Sequence, residues 1–108
     1  MANSNPVDTQ PEDVNLLPGA LTVIIPNRNH CAFLPTSIGS ALRQSRRPDR
    51  VLVLDDGSDD GSVGLVQRHA ASEPLLELMP NPNRLYVNGT INRGLSLTRT
   101  EIVTFLAE

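Results

Sequence analysis

Residues 52–61 read LVLDDGSDDG and lead from an apolar run directly into an acidic turn. The apolar run is suited to a strand that is buried on both faces, as in a parallel sheet. The turn carries four carboxylates within six residues, those of Asp55, Asp56, Asp59 and Asp60. Like charges at this spacing repel, so we expect backbone N–H groups, a cation or a hydrogen-bonding ligand to offset the repulsion.

A second apolar run lies earlier in the chain and also ends in polar residues. It reads LTVII at residues 21–25 and is followed by Pro26, Asn27, Arg28 and Asn29. Parallel strands in open α/β sheets bind nucleotide-type ligands outside their carboxyl ends. We therefore predict that the segment around Pro26 and the acidic turn line one crevice.

Strand and helix patterns alternate along the chain with short connections. Strands are predicted near 21–25, 50–55, 75–79 and 102–106, and helices from about Pro35, over 62–71 and over about 88–98. This alternation predicts the α/β class: a Rossmann-like, mostly parallel sheet with helices on both faces. Right-handed crossovers bring the loops after the first, second and fourth strands to one edge of the sheet.

Composition narrows the function classes. The 108 residues contain nine basic side chains, all arginine, so a Schiff base and a lysine general base are excluded. No basic stripe is interleaved with aromatic residues, so we expect no nucleic-acid partner. The single cysteine excludes an internal disulfide. No membrane-span or signal pattern occurs, so a cytoplasmic location is expected.

Domain boundaries follow from the same patterns. Residues 1–19 are rich in Asn, Asp, Gln and Pro, and we expect a disordered tail there. Residues 20–108 form one structural unit. Because a sheet of this kind usually continues, we expect this unit to be the truncated N-terminal part of a larger domain.

The order of three stretches resembles one known family. VIIPNRN at 23–29, SALRQ at 40–44 and DDGSDDGS at 55–62 match the opening of the inverting family-two glycosyltransferases with the GT-A fold. Asn83, NRG at 92–94 and FL at 105–106 echo a later family stretch. The resemblance covers about 21–108 and implies the nucleotide-sugar-binding half of a partial GT-A fold.

The resemblance implies an activity and its partners. A sugar would pass from a nucleoside diphosphate sugar, UDP-type by expectation, to an unknown glycan, lipid or protein acceptor with inversion. A divalent metal, Mn²⁺ or Mg²⁺, would assist in the intact enzyme. The catalytic residues are expected beyond Glu108, so this chain alone should be inactive.

The resemblance also assigns roles to individual residues. The residues implied to bind the nucleotide sugar are Pro26, Asn27, Arg28, Asp56 and Arg93. Those implied to support the turn are Asp55, Gly57 and Asp59. Ser62 is expected to cap the following helix, and Glu108 is the candidate metal ligand.

The sequence departs from the family pattern at several of these places. Arg28 stands where an aromatic residue often stacks on the base, and Ile91 replaces the family's arginine, for which Arg93 is the candidate substitute. Ala107 stands where the first acidic metal ligand is expected, with Glu108 next to it. For Arg84, a phosphate-facing role and a surface role both stay open.

Two alternative functions also fit parts of the sequence. A non-catalytic nucleotide- or sugar-binding remnant fits the missing arginine. A receiver-type signalling domain also ends a strand in adjacent aspartates, but it needs a lysine that this chain lacks. An exposed sheet edge additionally predicts self-association.

Overall fold

Strands and helices alternate through the whole described part of the chain. A computed structural model describes residues 17–98 and 100–105. The elements are β1 (Leu17–Asn27), α1 (Leu34–Arg43), β2 (Arg50–Asp55), α2 (Ser62–Ala70), β3 (Leu76–Pro80), α3 (Tyr86–Leu97) and β4 (Thr100–Phe105). The predicted alternation is confirmed.

The four strands form one parallel sheet in the order β3-β2-β1-β4. From β1 the chain proceeds to β2 and β3 on one side, and then crosses to β4 on the other side of β1. The order therefore reverses between β1 and β4, and such a switch point is where open α/β sheets bind ligands. The carboxyl end of β1 lies at this point, and that of β2 lies one strand further along the sheet.

Helices cover both faces of the sheet, as predicted. Alternate residues of β2 point to opposite faces, with Val51 and Val53 on one and Leu52 and Leu54 on the other, and all four are fully buried. The first face packs against α1 and α2 in a cluster that contains Val23, Ile25, Val51, Val53, Leu34, Ile38, Ala41 and Val66. The second face is smaller and lies under α3.

Helix α3 approaches the sheet closely through a glycine. A Cβ atom at Gly94 would lie 3.0 Å from the Cδ1 atoms of both Ile24 and Leu54. Leu97 packs against the same cluster, whereas Leu95 is 48% exposed. Helix α3 therefore packs on the sheet through Gly94 and Leu97 and not through Leu95.

Among the boundaries that differ from the predictions, the starts of β1 and α3 bear on the site. Strand β1 begins at Leu17, which pairs with Thr100, and its register shifts between Leu17 and Leu21. Gly19 lies in this stretch at φ 73°. The strand therefore takes in residues 17–19 of the predicted tail, and residues 1–16 lie outside the described part. Helix α3 begins at Tyr86 rather than near residue 88.

Within residues 17–98 and 100–105, no helix is long and apolar enough to cross a membrane.

Candidate functional site

The loop after β1 and the turn after β2 are joined side by side. Asn27 and Asp55 are partners in the strand register. The Asn27 Nδ2 donates to Asp55 Oδ1 at 3.0 Å and to Ser58 Oγ at 3.2 Å. The backbone N–H of Asp56 donates to the Asn27 carbonyl at 2.9 Å. The prediction that these two segments share one edge is confirmed, and we call them, residues 26–31 and 55–62, the carboxyl edge.

Further hydrogen bonds fix the two segments of the carboxyl edge to each other. Asn29, at φ 58°, donates its N–H to Ser58 Oγ at 2.9 Å and accepts from the Asp59 N–H through Oδ1 at 2.8 Å. The Cys31 N–H donates to Asp60 Oδ2 at 2.9 Å. The loop after β1 therefore has little freedom to move independently of the acidic turn.

Asp55 stabilises the turn from within. Its Oδ2 accepts from the Ser58 N–H at 2.9 Å, and its Oδ1 accepts from Ser58 Oγ at 2.6 Å. Gly57 has φ 85°, a conformation that costs little only for glycine. Asp59 is exposed and contributes its backbone N–H. Asp55, Gly57 and Asp59, which the resemblance implies to support the turn, all lie within it.

Asp60 links the turn to the start of α2. Its Oδ1 accepts from the Ser62 N–H at 3.0 Å and also from the Ser62 hydroxyl. The hydroxyl bond, with the N–H groups of Cys31 and Ser62, lowers the pKa of Asp60 despite some desolvation. The expectation that Ser62 caps this helix is wrong, because Ser62 is the first helical residue and Asp60 supplies the acceptor.

The Asp56 side chain, unlike that of Asp55, contacts the connection between β3 and α3. Its Oδ1 accepts from Asn81 Nδ2 at 3.0 Å and from the Leu85 N–H at 2.7 Å. Its Oδ2 accepts from Arg84 Nε at 2.9 Å and from the Tyr86 N–H at 2.8 Å. An ionised carboxylate offers about four acceptor sites. All of them are occupied, and the residue is only 5% exposed.

This contact explains where α3 begins. The residue at the N-cap position, Leu85, has no side-chain oxygen, and no side-chain cap is formed there. Asp56 instead accepts the N–H groups of Leu85 and Tyr86, so the helix starts earlier than its own sequence predicts. Burial raises the pKa of Asp56, but the bonds from Leu85, Asn81 and Arg84 outweigh it and the net pKa is lowered.

Arg84 and Tyr86 form a pair beside the Asp56 carboxylate. The guanidinium carbon of Arg84 lies 4.2 Å from the centroid of the Tyr86 ring, a cation–π contact. The Arg84 side chain is 40% exposed and Tyr86 is 64% exposed. The sequence left Arg84 open and did not indicate Tyr86 or Asn81, because their relation to Asp56 exists only in the fold.

The other residues predicted to bind the nucleotide sugar differ in their burial and contacts. Pro26 is half-buried, and Arg28 is exposed with no hydrogen-bond or ion-pair partner in the described part of the chain. Arg93 Nη1 donates to Asn81 Oδ1 at 2.9 Å and to the Pro80 carbonyl at 3.1 Å. Arg93 therefore meets Asp56 only through Asn81.

The described residues do not themselves form a metal site. Among residues 17–98 and 100–105, no three His, Cys, Asp or Glu side chains are placed to hold a metal ion. Asp55 and Asp56 direct their oxygens to protein donors. Glu108, the predicted metal ligand, lies outside the described residues.

The fold and the carboxyl edge define a class: a parallel α/β protein with polar loops at the switch point of its sheet. A family model described as glycosyl transferase family 2 matches residues 22–107. The chain belongs to this family, as its resemblance predicted.

Two curated relatives are glycosyltransferases by name. A GalNAc(5)-diNAcBac-PP-undecaprenol beta-1,3-glucosyltransferase of Campylobacter jejuni is 32% identical over 87 residues, which cover 80% of this chain and 28% of that protein. An uncharacterized glycosyltransferase of Nostoc is 29% identical over 89 residues, covering 80% and 27%. The chain thus spans little more than a quarter of the length of these relatives.

Solved structures share the fold. The mannosyltransferase PcManGT from Pyrobaculum calidifontis, in complex with GDP-Man and Mn²⁺, matches with a TM-score of 0.65 and 28% identity, covering 72% of this chain and 24% of that one. TarS of S. aureus matches with a TM-score of 0.70 and 23% identity, covering 82% and 27%. The fold is a partial, Rossmann-like GT-A fold, as predicted.

Proposed function

We propose that this chain carries the donor-binding edge of an inverting glycosyltransferase. The enzyme would transfer a sugar from a nucleoside diphosphate sugar to an acceptor. The observation that carries the proposal is the hydrogen-bonded union of the Asn27 loop with the Asp55 turn, beside the switch point of a family 2 sheet. The unit that holds the donor would include residues 17–19, which belong to β1, as well as residues 20–108.

The donor site would lie along the carboxyl edge. Pro26, Asn27 and Arg28 would line the base and ribose, and Asp56 would accept an N–H of the base. Asn27 supports this arrangement, because its Oδ1 is buried and has no hydrogen-bond partner in the described part of the chain. A buried acceptor without a partner is unfavourable until a ligand or water donates to it. Arg93 would act through Asn81.

The nucleotide is proposed to be a uridine diphosphate. Its base carries one imide N–H, a group that a carboxylate accepts strongly. The exposed guanidinium of Arg28 can stack on a base or meet a phosphate. The GDP-Man in the PcManGT complex supports a nucleoside diphosphate sugar as the donor class.

The chemistry is proposed to need groups beyond the described residues. A divalent metal, Mn²⁺ or Mg²⁺, would be held by Glu108 with acidic residues that follow it, and when bound it would neutralise the diphosphate leaving group. The Mn²⁺ of the PcManGT complex supports this choice. The catalytic base is also proposed to lie outside the described residues.

The acceptor is proposed to be a glycan, a lipid or a protein. The name of the Campylobacter relative contains an undecaprenol-linked glycan, which supports a lipid-linked acceptor. We propose that the protein acts in the cytoplasm and has no nucleic-acid partner. The edges of the described sheet, β3 and β4, are where two copies would associate. A monomer in size-exclusion chromatography at high concentration would exclude that association.

Donor binding can be tested by titration calorimetry of the chain with UDP and GDP, with and without Mn²⁺. Arg28→Ala should weaken UDP binding by about tenfold, which corresponds to about 1.4 kcal/mol. Arg68→Ala is the matched control, because Arg68 is also exposed without a described partner but lies in the last turn of α2. It should leave UDP binding unchanged.

Two results would contradict the proposal. One is a folded chain, verified by circular dichroism, that binds neither nucleotide. The other is an equal loss of affinity in the Arg28 and Arg68 variants, which would assign the effect to net charge rather than to the carboxyl edge.

A further inference from the structure

The carboxylate proposed to receive the base is already fully occupied by the protein. Asp56 accepts four donors with two oxygens, from Asn81, Arg84, Leu85 and Tyr86. About four lone-pair sites are all that a carboxylate offers. A base N–H can therefore bind Asp56 at full strength only if one of these donors withdraws.

The four donors differ in how readily they can leave. The N–H groups of Leu85 and Tyr86 belong to the backbone at the start of α3, so removing either would leave the helix end without its acceptor. Asn81 is half-buried and is also tied to Thr90 and Arg93, at 2.9 Å in each case.

Arg84 is the donor whose departure costs least. Its side chain is 40% exposed, so its guanidinium can be solvated as soon as it leaves the carboxylate. It holds Asp56 through Nε, and the Tyr86 ring lies 4.2 Å from its guanidinium carbon. The ring keeps the guanidinium next to the carboxylate while leaving it accessible from solvent.

We propose that Arg84 is an internal competitor that occupies Asp56 Oδ2 in the free protein and yields it to the N–H of the donor base. This inference rests on the proposed function and adds a residue that sets donor affinity. Arg84 is a positioning residue, because it acts on the ligand through Asp56. The exchange conserves hydrogen bonds, since one N–H donor replaces another on the same oxygen.

The experiment compares each nucleotide with an analogue that lacks the relevant N–H. The probes are UDP and UDP methylated at the imide nitrogen, or GDP and its N1-methyl analogue if GDP binds better. Both members of a pair carry the same charge. The affinity of the unmodified nucleotide divided by that of its methylated analogue therefore measures the contribution of the base N–H. Arg84→Ala should raise this ratio by about twofold to fivefold, the range expected for a partly exposed ion pair.

Two variants serve as controls. Arg84→Lys keeps a cation that can occupy Asp56, so its ratio should stay near that of the wild type. Arg47→Ala removes an arginine from the exposed Arg47–Glu73 pair, whose atoms lie 3.3 Å apart, and it should leave the ratio unchanged. A purely structural effect of Arg84→Ala would lower the affinity for both nucleotides of the pair by the same factor, so their ratio would not change.

The outcomes separate the two proposals. A wild type that binds a diphosphate, with a ratio that is unchanged or lower in Arg84→Ala, overturns the role of Arg84 and leaves the proposed function intact. A folded wild type that binds no nucleoside diphosphate overturns the proposed function and this inference with it.

Discussion

Two connections lead from a strand into a helix at the same edge of the sheet, and they are held in different ways. The β2–α2 turn, residues 55–62, is held largely from within, because Asp55 accepts from Ser58 and Asp60 accepts from Ser62. The loop after β1 adds bonds from Asn29 and Cys31. The β3–α3 connection, residues 81–86, is held by Asp56, which lies 29 and 30 positions before the two N–H groups it accepts.

The residues in the left-handed region show the same contrast. In the β2–α2 turn the left-handed residues are glycines, Gly57 at φ 85° and Gly61 at φ 89°. In the β3–α3 connection the left-handed residue is a tyrosine, Tyr86 at φ 63°. The first connection is encoded locally, whereas the second needs the assembled sheet. A ligand that contacts Asp56 therefore also contacts the group that fixes the start of α3.

Removing the Asp56 carboxylate should have the largest effect on stability. Asp56→Ala removes the buried acceptor of all four donors in the β3–α3 connection, and the free energy of unfolding should fall by about 3 kcal/mol. Urea denaturation measures it. Asp59→Ala is the control, because the Asp59 side chain is exposed, and it should stay within about 0.5 kcal/mol of the wild type. Equal effects of the two variants would remove the distinction between the connections.

Alanine at two glycines should change stability in opposite directions. Gly57→Ala places a Cβ at φ 85°, where nothing lies within 4 Å, so the cost of about 1–2 kcal/mol comes from the backbone alone. Gly64→Ala, in the interior of α2, should stabilise by about 0.5–1 kcal/mol. Thermal and urea unfolding of the two variants measure both changes in the free energy of unfolding. A stable Gly57→Ala variant would show that the turn is not held in this conformation.

Position 86 should prefer glycine to alanine. Both Tyr86→Gly and Tyr86→Ala lose the ring over Arg84, but only the glycine variant relieves the left-handed backbone at φ 63°. The glycine variant should therefore be more stable than the alanine variant by about 1 kcal/mol. The reverse order, which is the order expected at Gly64, would mean that residue 86 has an ordinary helical backbone.

Acid should loosen the β3–α3 connection. The pKa of Asp56 lies below its ordinary value of 3.8 in the folded protein. Its stabilising contribution is therefore complete above that value and is lost as the pH falls through the lower, folded pKa. The free energy of unfolding should fall more steeply below about pH 4 in the wild type than in Asp56→Asn. Parallel curves would assign the acid sensitivity to other carboxylates, such as Asp60.

Much of the fold could be predicted because its signals are local. The bounds of β2, the helices on both faces and the shared edge of Asn27 and Asp55 all follow from apolar runs that end in polar turns. The position of α3 could not be predicted in the same way. Its own sequence offers no cap, and its start depends on a carboxylate from another connection.

The candidate site divides along the same line. The composition of residues 52–62 already determines an acidic turn with glycines where the backbone is left-handed, since those demands act between near neighbours. Only the tertiary structure decides that the adjacent carboxylates Asp55 and Asp56 bind different connections. Strand pairing brings Arg84 and Tyr86 within hydrogen-bonding distance of Asp56, and no spacing along the chain encodes that proximity.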